Sequence, residues 1–179
     1  MAVLLSRKKA VKEYSENIKG KVWVFPDNVD TDVISPARYM DDIQATLKHT
    51  CETLIKQFPI EVQEGDIIVA GRNFGCGSSR ETAPVILQEK GIVAIIAESF
   101  ARIFYRTSIA RALPVIEVKG ISKEFLMGDE IAINIPNAEI INLRTKKKLK
   151  GEKIHPILLN LLKNGGLEKQ LLVELKESK

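Results

Sequence analysis

The chain has 179 residues, of which 45% are hydrophobic and 28% charged, with a formal net charge of +4. This describes one ordinary globular domain able to bury a core without disulfides. The basic excess is too small to point to nucleic acid, aromatic residues at 6% are too sparse for a single-strand stacking platform, and no apolar run approaches the roughly 20 residues that span a bilayer.

Cys51 and Cys76 make no zinc or iron–sulfur spacing by themselves. Two thiols and an opening too short for a secretory signal suggest a cytoplasmic protein. Residues 1–19 read as an N-terminal extension, with a helix expected around Lys8 to Tyr14. Lys21-Val22-Trp23-Val24-Phe25 reads as the first strand, begun after Gly20 and stopped by Pro26. The following Asp27-Asn28-Val29-Asp30-Thr31-Asp32 resembles a calcium loop. That pattern needs glycine at its sixth position and glutamate at its twelfth, where Asp32 and Arg38 stand, so it is rejected. Two readings of the aspartates stay open: a turn bonded to its own backbone, or carboxylates ordering an active-site group.

Val33 to Asp42 reads as irregular and exposed. Asp42 is placed to cap a helix from Ile43 to Lys56, ended by Pro59. His49, on that helix, has no second histidine near it and reads as a surface or core residue. Ile67-Ile68-Val69-Ala70 is a buried strand, and Ala83 to Lys90 a helix broken by Gly91. Ile92 to Ala97 is a continuous apolar run typical of a parallel sheet. Residues 67–97 therefore form one βαβ unit. Ser99 is placed to cap a short helix with Phe100, Ile103 and Phe104 on one side and Arg102 and Arg106 on the other. Leu113 to Val118 is a further strand, and Phe125 to Leu143 a half-buried β region. Arg144 to Lys153 is basic and reads as a solvated face. A helix follows from Ile157, ended by Gly165-Gly166, and then a last helical tail over 166–179. The class is mixed α/β.

The richest stretch is Gly71-Arg72-Asn73-Phe74-Gly75-Cys76-Gly77-Ser78-Ser79-Arg80-Glu81, between strand 67–70 and the helix at 83. Its glycines permit tight turns and close approach to a ligand. Ser78, Ser79 and Arg80 then stand at a helix start, where free N–H groups favour an anion. Arginine's planar fork suits a carboxylate or a phosphate. This is an anion site with two hydroxyls; the plain alternative is a βα turn whose serine caps the helix. A nucleotide loop fits poorly, since there is no Lys-Ser/Thr ending and Arg80 replaces the third glycine of the dinucleotide pattern. A stand-alone anion-binding module remains the alternative of another class.

Three segments together name a family. Asp30-Thr31-Asp32-Val33-Ile34-Ser35-Pro36, the Gly71–Glu81 stretch, and Ala97-Glu98-Ser99-Phe100-Ala101-Arg102-Ile103-Phe104-Tyr105-Arg106 resemble, in order, the small subunit of 3-isopropylmalate dehydratase. They are equally similar to prokaryotic homoaconitase small subunits and to the C-terminal domain of aconitase. The resemblance covers about residues 20–165. It implies a swivelling β/β/α domain and a separate large subunit bearing a [4Fe-4S] cluster, in a heterodimer or heterotetramer, with no cofactor on this chain. The implied reaction is dehydration and rehydration of a hydroxy di- or tricarboxylic acid. Ser78 is then the base, used as an alkoxide. Arg80 binds a substrate carboxylate, with Ser79 and Gly77 beside it, and Asp32 orients partner groups. In this family the loop after a Tyr-Leu pair separates substrates, and homoaconitases place an arginine there. Here the loop is Arg38-Tyr39-Met40-Asp41-Asp42, and its acidic pair disfavours a third carboxylate. Isopropylmalate is the expected substrate, with a methyl-substituted malate or homoaconitate as alternatives.

Overall fold

The computed structural model describes residues 14–177. The elements in order are β1 (Asn17–Phe25), α1 (Thr31–Ile34), a 3₁₀ turn (Ala37–Tyr39), α2 (Ile43–His49), α3 (Phe58–Glu61), β2 (Ile67–Ala70), α4 (Thr82–Glu89), β3 (Ala94–Ala97), α5 (Arg102–Ala110), β4 (Val115–Glu117), β5 (Glu130–Asn134), β6 (Glu139–Asn142), β7 (Lys148–Lys150), α6 (Pro156–Lys163) and α7 (Leu167–Glu177). The expected helix at Lys8 to Tyr14 lies outside the described residues except for Tyr14. No helix among the described residues is long and apolar enough to cross a membrane.

One sheet organises the chain, in the order β4-β3-β2-β1-β5-β6-β7. The β1–β4 half is parallel, and the βαβ unit expected over 67–97 is there as β2-α4-β3. Every residue of β2 and β3 is buried, as a parallel sheet covered on both faces requires. The other half is an antiparallel meander. On β5, Ile131 and Ile133 are buried while Glu130, Ala132 and Asn134, which alternate with them, are not.

Strand β1 joins the two halves. Asn17–Lys21 pair antiparallel with β5, and Val22–Phe25 pair parallel with β2. The strand thus begins inside the segment read as an N-terminal extension, and Gly20 lies within it rather than before it. The reason is space: a Cβ on Gly20 would lie 2.1 Å from the Gly65 carbonyl oxygen, where another backbone crosses.

The helix expected from Ile43 to Lys56 is cut short. Asp42 caps it as expected, its Oδ1 accepting from Ala45 N at 3.0 Å. It stops at His49 because the Cys51 N–H donates to the Val33 carbonyl (2.9 Å), with Cys51 in the left-handed region at φ +58°. A tertiary bond here replaces the next helical one. Pro59 does not end that helix; it sits in the first turn of α3, where its missing N–H is harmless.

The core of the parallel half packs Phe58 edge-on against Trp23 and Phe25, with ring centroids 5.1 and 5.3 Å apart. Beneath it the buried Asp66 carboxylate accepts from Trp23 Nε1 (2.8 Å) and from Gln63 N (2.9 Å), both on Oδ2. Asp66→Ala leaves the buried Trp23 N–H and the part-buried Gln63 N–H unpaired and is expected to cost about 2–3 kcal/mol. Urea titration should show a lower midpoint at unchanged slope. Asp66→Asn, which keeps one acceptor oxygen, should lose less.

The basic run Arg144 to Lys153 lies on the meander face and is partly paired: Arg144 with Asp129, Lys147 with Glu124 and Lys150 with Glu139. Asp129 is nearly buried and also accepts from Leu126 N and Asn142 Nδ2. The Arg144 guanidinium, ahead of those two donors, draws its carboxyl down to about 2. The folded value is below the ordinary value of about 3.9, so this stabilisation is present above that pH and fades as pH falls towards 2. The Tm gap between wild type and Asp129→Asn should therefore narrow as pH drops from about 5 to about 2.

Candidate active site

Because β1, β2 and β3 run parallel, their carboxyl ends share one edge, where ligands bind in open α/β sheets. The three quoted segments leave from that edge and are stitched together there. Asn28 N donates to Arg72 O, Gly75 N to Val29 O, and Thr31 N to Cys76 O. Phase by phase the third segment joins: Phe74 N donates to Ser99 O and Ala101 N to Phe74 O. Two glycines make this closeness possible. A Cβ on Gly75 would strike the Phe104 ring at 2.1 Å, and one on Gly77 would lie 2.3 Å from the Asp30 carboxylate. Both also hold positive φ, +77° and +85°.

Ser78 and Ser79 are exposed, and among the described residues neither hydroxyl is engaged. The backbone N–H groups of Gly77, Ser78, Ser79 and Arg80 likewise donate to no acceptor among the described residues. The Ser78 carbonyl is held by Thr31 Oγ1 at 2.7 Å, which fixes the loop while leaving the hydroxyl outward. The serines stand ahead of α4, not in its first turn. The helix begins at Thr82, with Glu81 at its cap position and no side-chain cap bond, so the plain capping reading is set aside. Pro84 explains the boundary. It has no N–H to give to the Arg80 carbonyl, so the helix cannot start sooner.

Arg80 is mostly buried, its side chain 17% exposed. Its guanidinium pairs with Asp32 Oδ1 at 2.5 Å and donates to the Ser35 carbonyl. Asp32 in turn accepts from Ala37 N at 2.9 Å, and its own N–H donates to Asp30 Oδ1 at 2.7 Å. The Ala37 N–H first, and then Arg80, hold the Asp32 carboxyl below the usual carboxylate range. The aspartate loop and the glycine–serine loop are thus one unit. Thr31 and Ser35, to which the sequence reading assigns no role, do much of the holding. Ser35 Oγ also lies 3.1 Å from Thr82 Oγ1. Their burial amid polar neighbours has no periodic signature to betray it.

The segment 33–42 is less irregular and less exposed than expected, with a 3₁₀ turn at Ala37–Tyr39. Ile34, Ser35 and Pro36 are buried. Arg38 is turned to Glu52 (3.4 Å), Tyr39 is half-buried, and Asp42 caps α2. Met40, 66% exposed, and Asp41 face outward. Ser99 does not cap α5, whose cap position is Ala101; its hydroxyl accepts from Asn73 N at 2.9 Å instead. Ile103 is also exposed, beside Arg102 and Arg106, rather than on the buried side with Phe104.

The chain's own side chains do not fit a [4Fe-4S] cluster. Such a cluster needs thiolates. The chain has two cysteines, short of the set a [4Fe-4S] cluster takes, and Cys51 is buried. Among the described residues no group of three or more His, Cys, Asp or Glu could hold a metal ion.

Comparison with known proteins agrees with this architecture. The model of the aconitase C-terminal domain family matches residues 9–120. The 3-isopropylmalate dehydratase small subunit of Thermodesulfovibrio yellowstonii is 49% identical, over 84% of this chain and 90% of its own length. The isopropylmalate/citramalate isomerase small subunit of Methanocaldococcus jannaschii is 48% identical over 90% and 97%. The homoaconitase small subunit of Methanothermobacter thermautotrophicus is 48% identical over 84% and 88%. A crystal structure of 3-isopropylmalate dehydratase from M. jannaschii superposes with a TM-score of 0.81 at 40% identity, covering 90% of this chain and 99% of that one. Sequence, fold and the stitched carboxyl edge converge: the chain belongs to the aconitase C-terminal domain family, with the 3-isopropylmalate dehydratase small subunits.

Proposed function

We propose that the chain is the small subunit of a hydro-lyase that interconverts 2-isopropylmalate and 3-isopropylmalate by dehydration and rehydration, a step of leucine biosynthesis. It acts with a separate large subunit, which carries the [4Fe-4S] cluster. The observation that carries the reading is the Gly77–Arg80 loop: two unengaged hydroxyls, free N–H groups and a fixed guanidinium on one exposed edge. Such an edge is half a site, open to a partner that completes it. The two free thiols fit a reducing cytoplasm.

The chemistry assigns each residue a task. Removal of a weakly acidic proton alpha to a carboxylate falls to Ser78, acting as an alkoxide at the loop tip. The partner's cluster, when bound, would supply Lewis acidity for the departing hydroxyl. Arg80 binds a substrate carboxylate. Two of its five N–H donors are spent on Asp32 and Ser35, which set the plane of the fork and leave the others for the substrate. Ser79 and the Gly77 N–H complete the carboxylate cradle. Asp32 keeps Arg80 aimed. Arg38 to Asp42 form the discriminating loop, with Met40 as its apolar contact and Asp41 repelling a third carboxylate.

A second reading has its own observation: relatives named for citramalate and for homoaconitase match about as well as those named for isopropylmalate alone. Reconstitution with the large subunit decides. Turnover of 2-isopropylmalate above citramalate and homoaconitate is expected. Turnover of either of those with none of isopropylmalate would overturn the assignment, and tight nucleotide binding by the isolated chain would favour a stand-alone anion module.

A further inference from the structure

The discriminating loop is fastened at both ends, and one fastening depends on a histidine. At the start, Asp32 takes the Ala37 N–H and pairs with Arg80. At the end, the Tyr39 carbonyl accepts from Thr46 Oγ1 (2.8 Å) and Asp42 N (2.9 Å). The Tyr39 ring lies flat on the His49 imidazole, with centroids 4.3 Å apart and 14° between the planes. His49 Nδ1 is 2.7 Å from Glu52 Oε1, the oxygen that also receives Arg38 Nη2 at 3.4 Å. The Arg38 guanidinium lies over the Tyr39 ring as well, 4.8 Å from its centroid.

Three features single this stack out. Neither Tyr39 nor His49 belongs to the buried core, so their contact adds little to the packing of the domain. All four members, Arg38, Tyr39, His49 and Glu52, bear on one short segment. Directly after Tyr39, in the turn closed by Asp42 N on the Tyr39 carbonyl, Met40 and Asp41 are exposed, and among the described residues their side chains make no hydrogen bond or ion pair. The stack therefore leaves those two side chains as what the loop offers.

We propose that His49, held by Glu52, is a positioning residue: by clamping Tyr39 it fixes how Met40 and Asp41 are presented to the substrate. The substrate part of this rests on the function proposed above; the clamping part does not. Two readouts keep them apart. In the full-length chain alone, trypsin cleavage after Arg38, followed by mass spectrometry, reads how often the loop opens. His49→Ala should raise that rate about three- to tenfold, the worth of one aromatic stack, and His49→Phe, which can still stack, should restore it. In the reconstituted complex, His49→Ala should raise KM for 2-isopropylmalate by a similar factor with kcat nearly unchanged, and His49→Phe should again restore it. Glu52→Gln should fall between. Cleavage of His49→Ala at the wild-type rate overturns the clamp. Faster cleavage with unchanged KM in an active complex overturns its role in substrate presentation. A complex that turns over no isopropylmalate counts against the proposed function, while the proteolysis still decides the clamp.

Discussion

Ser78→Ala is expected to lower kcat of the reconstituted complex by about 10²–10⁴-fold, the usual worth of a general base, while leaving KM, thermal stability and assembly near wild type. The argument begins with what alanine keeps. Among the described residues, the only bond to Ser78 is at its carbonyl, from Thr31 Oγ1, and a backbone acceptor survives the change. The hydroxyl is outward and unengaged, so its loss leaves no buried group unsatisfied. An interaction made only in the transition state lowers kcat and kcat/KM together, which separates a base from a binding group. Ser79→Ala, beside it on the same loop, should cost much less. A Ser78→Ala complex with wild-type kcat would remove Ser78 from the chemistry.

What could be read from the chain and what could not divides along physical lines. The βαβ unit was legible because β2 and β3 are uninterrupted apolar runs with glycines at their borders, and such runs have few other places to go. The Asp42 cap was legible because capping is a local bond. The early end of α2 was not, since it turns on Cys51 N reaching Val33 O, a contact no periodicity announces. Gly20 misled for the same reason, its cause being the distant Gly65 carbonyl. At the candidate site the residue types stood out, but their partners did not. Arg80 and Ser35 are 45 positions apart, and nothing local says that the guanidinium turns back onto the aspartate loop rather than forward over the helix. One clue at the site is local: Pro84 bars the helix from reaching back to Ser78 and Ser79.

Arg80→Lys is expected to lower kcat/KM by roughly 30- to 150-fold, corresponding to about 2–3 kcal/mol for charge-assisted bonds lost to a substrate carboxylate, mostly as a rise in KM. Lysine keeps the charge, but a single ammonium cannot hold Asp32 Oδ1 and the Ser35 carbonyl and still present a planar fork. The fold should largely tolerate the change, because lysine keeps a positive charge beside Asp32, whose own side chain is 58% exposed, although Arg80 itself is only 17% exposed. On the proposed function, what Asp32 supplies is direction. Its carboxyl is held low by the Ala37 N–H and then by Arg80, so it stays ionised through the neutral range and its hold on the loop is lost only as pH falls through that lowered value. An acid limb near neutral pH in the rate profile therefore belongs to another group. Asp32→Asn keeps an acceptor for Ala37 but weakens the grip on Arg80, and should cost several-fold in kcat/KM on its own. In the Arg80→Lys background the same change should cost almost nothing, since the group it aims is gone. Additive losses in that double-mutant cycle would mean that Asp32 acts on something other than Arg80.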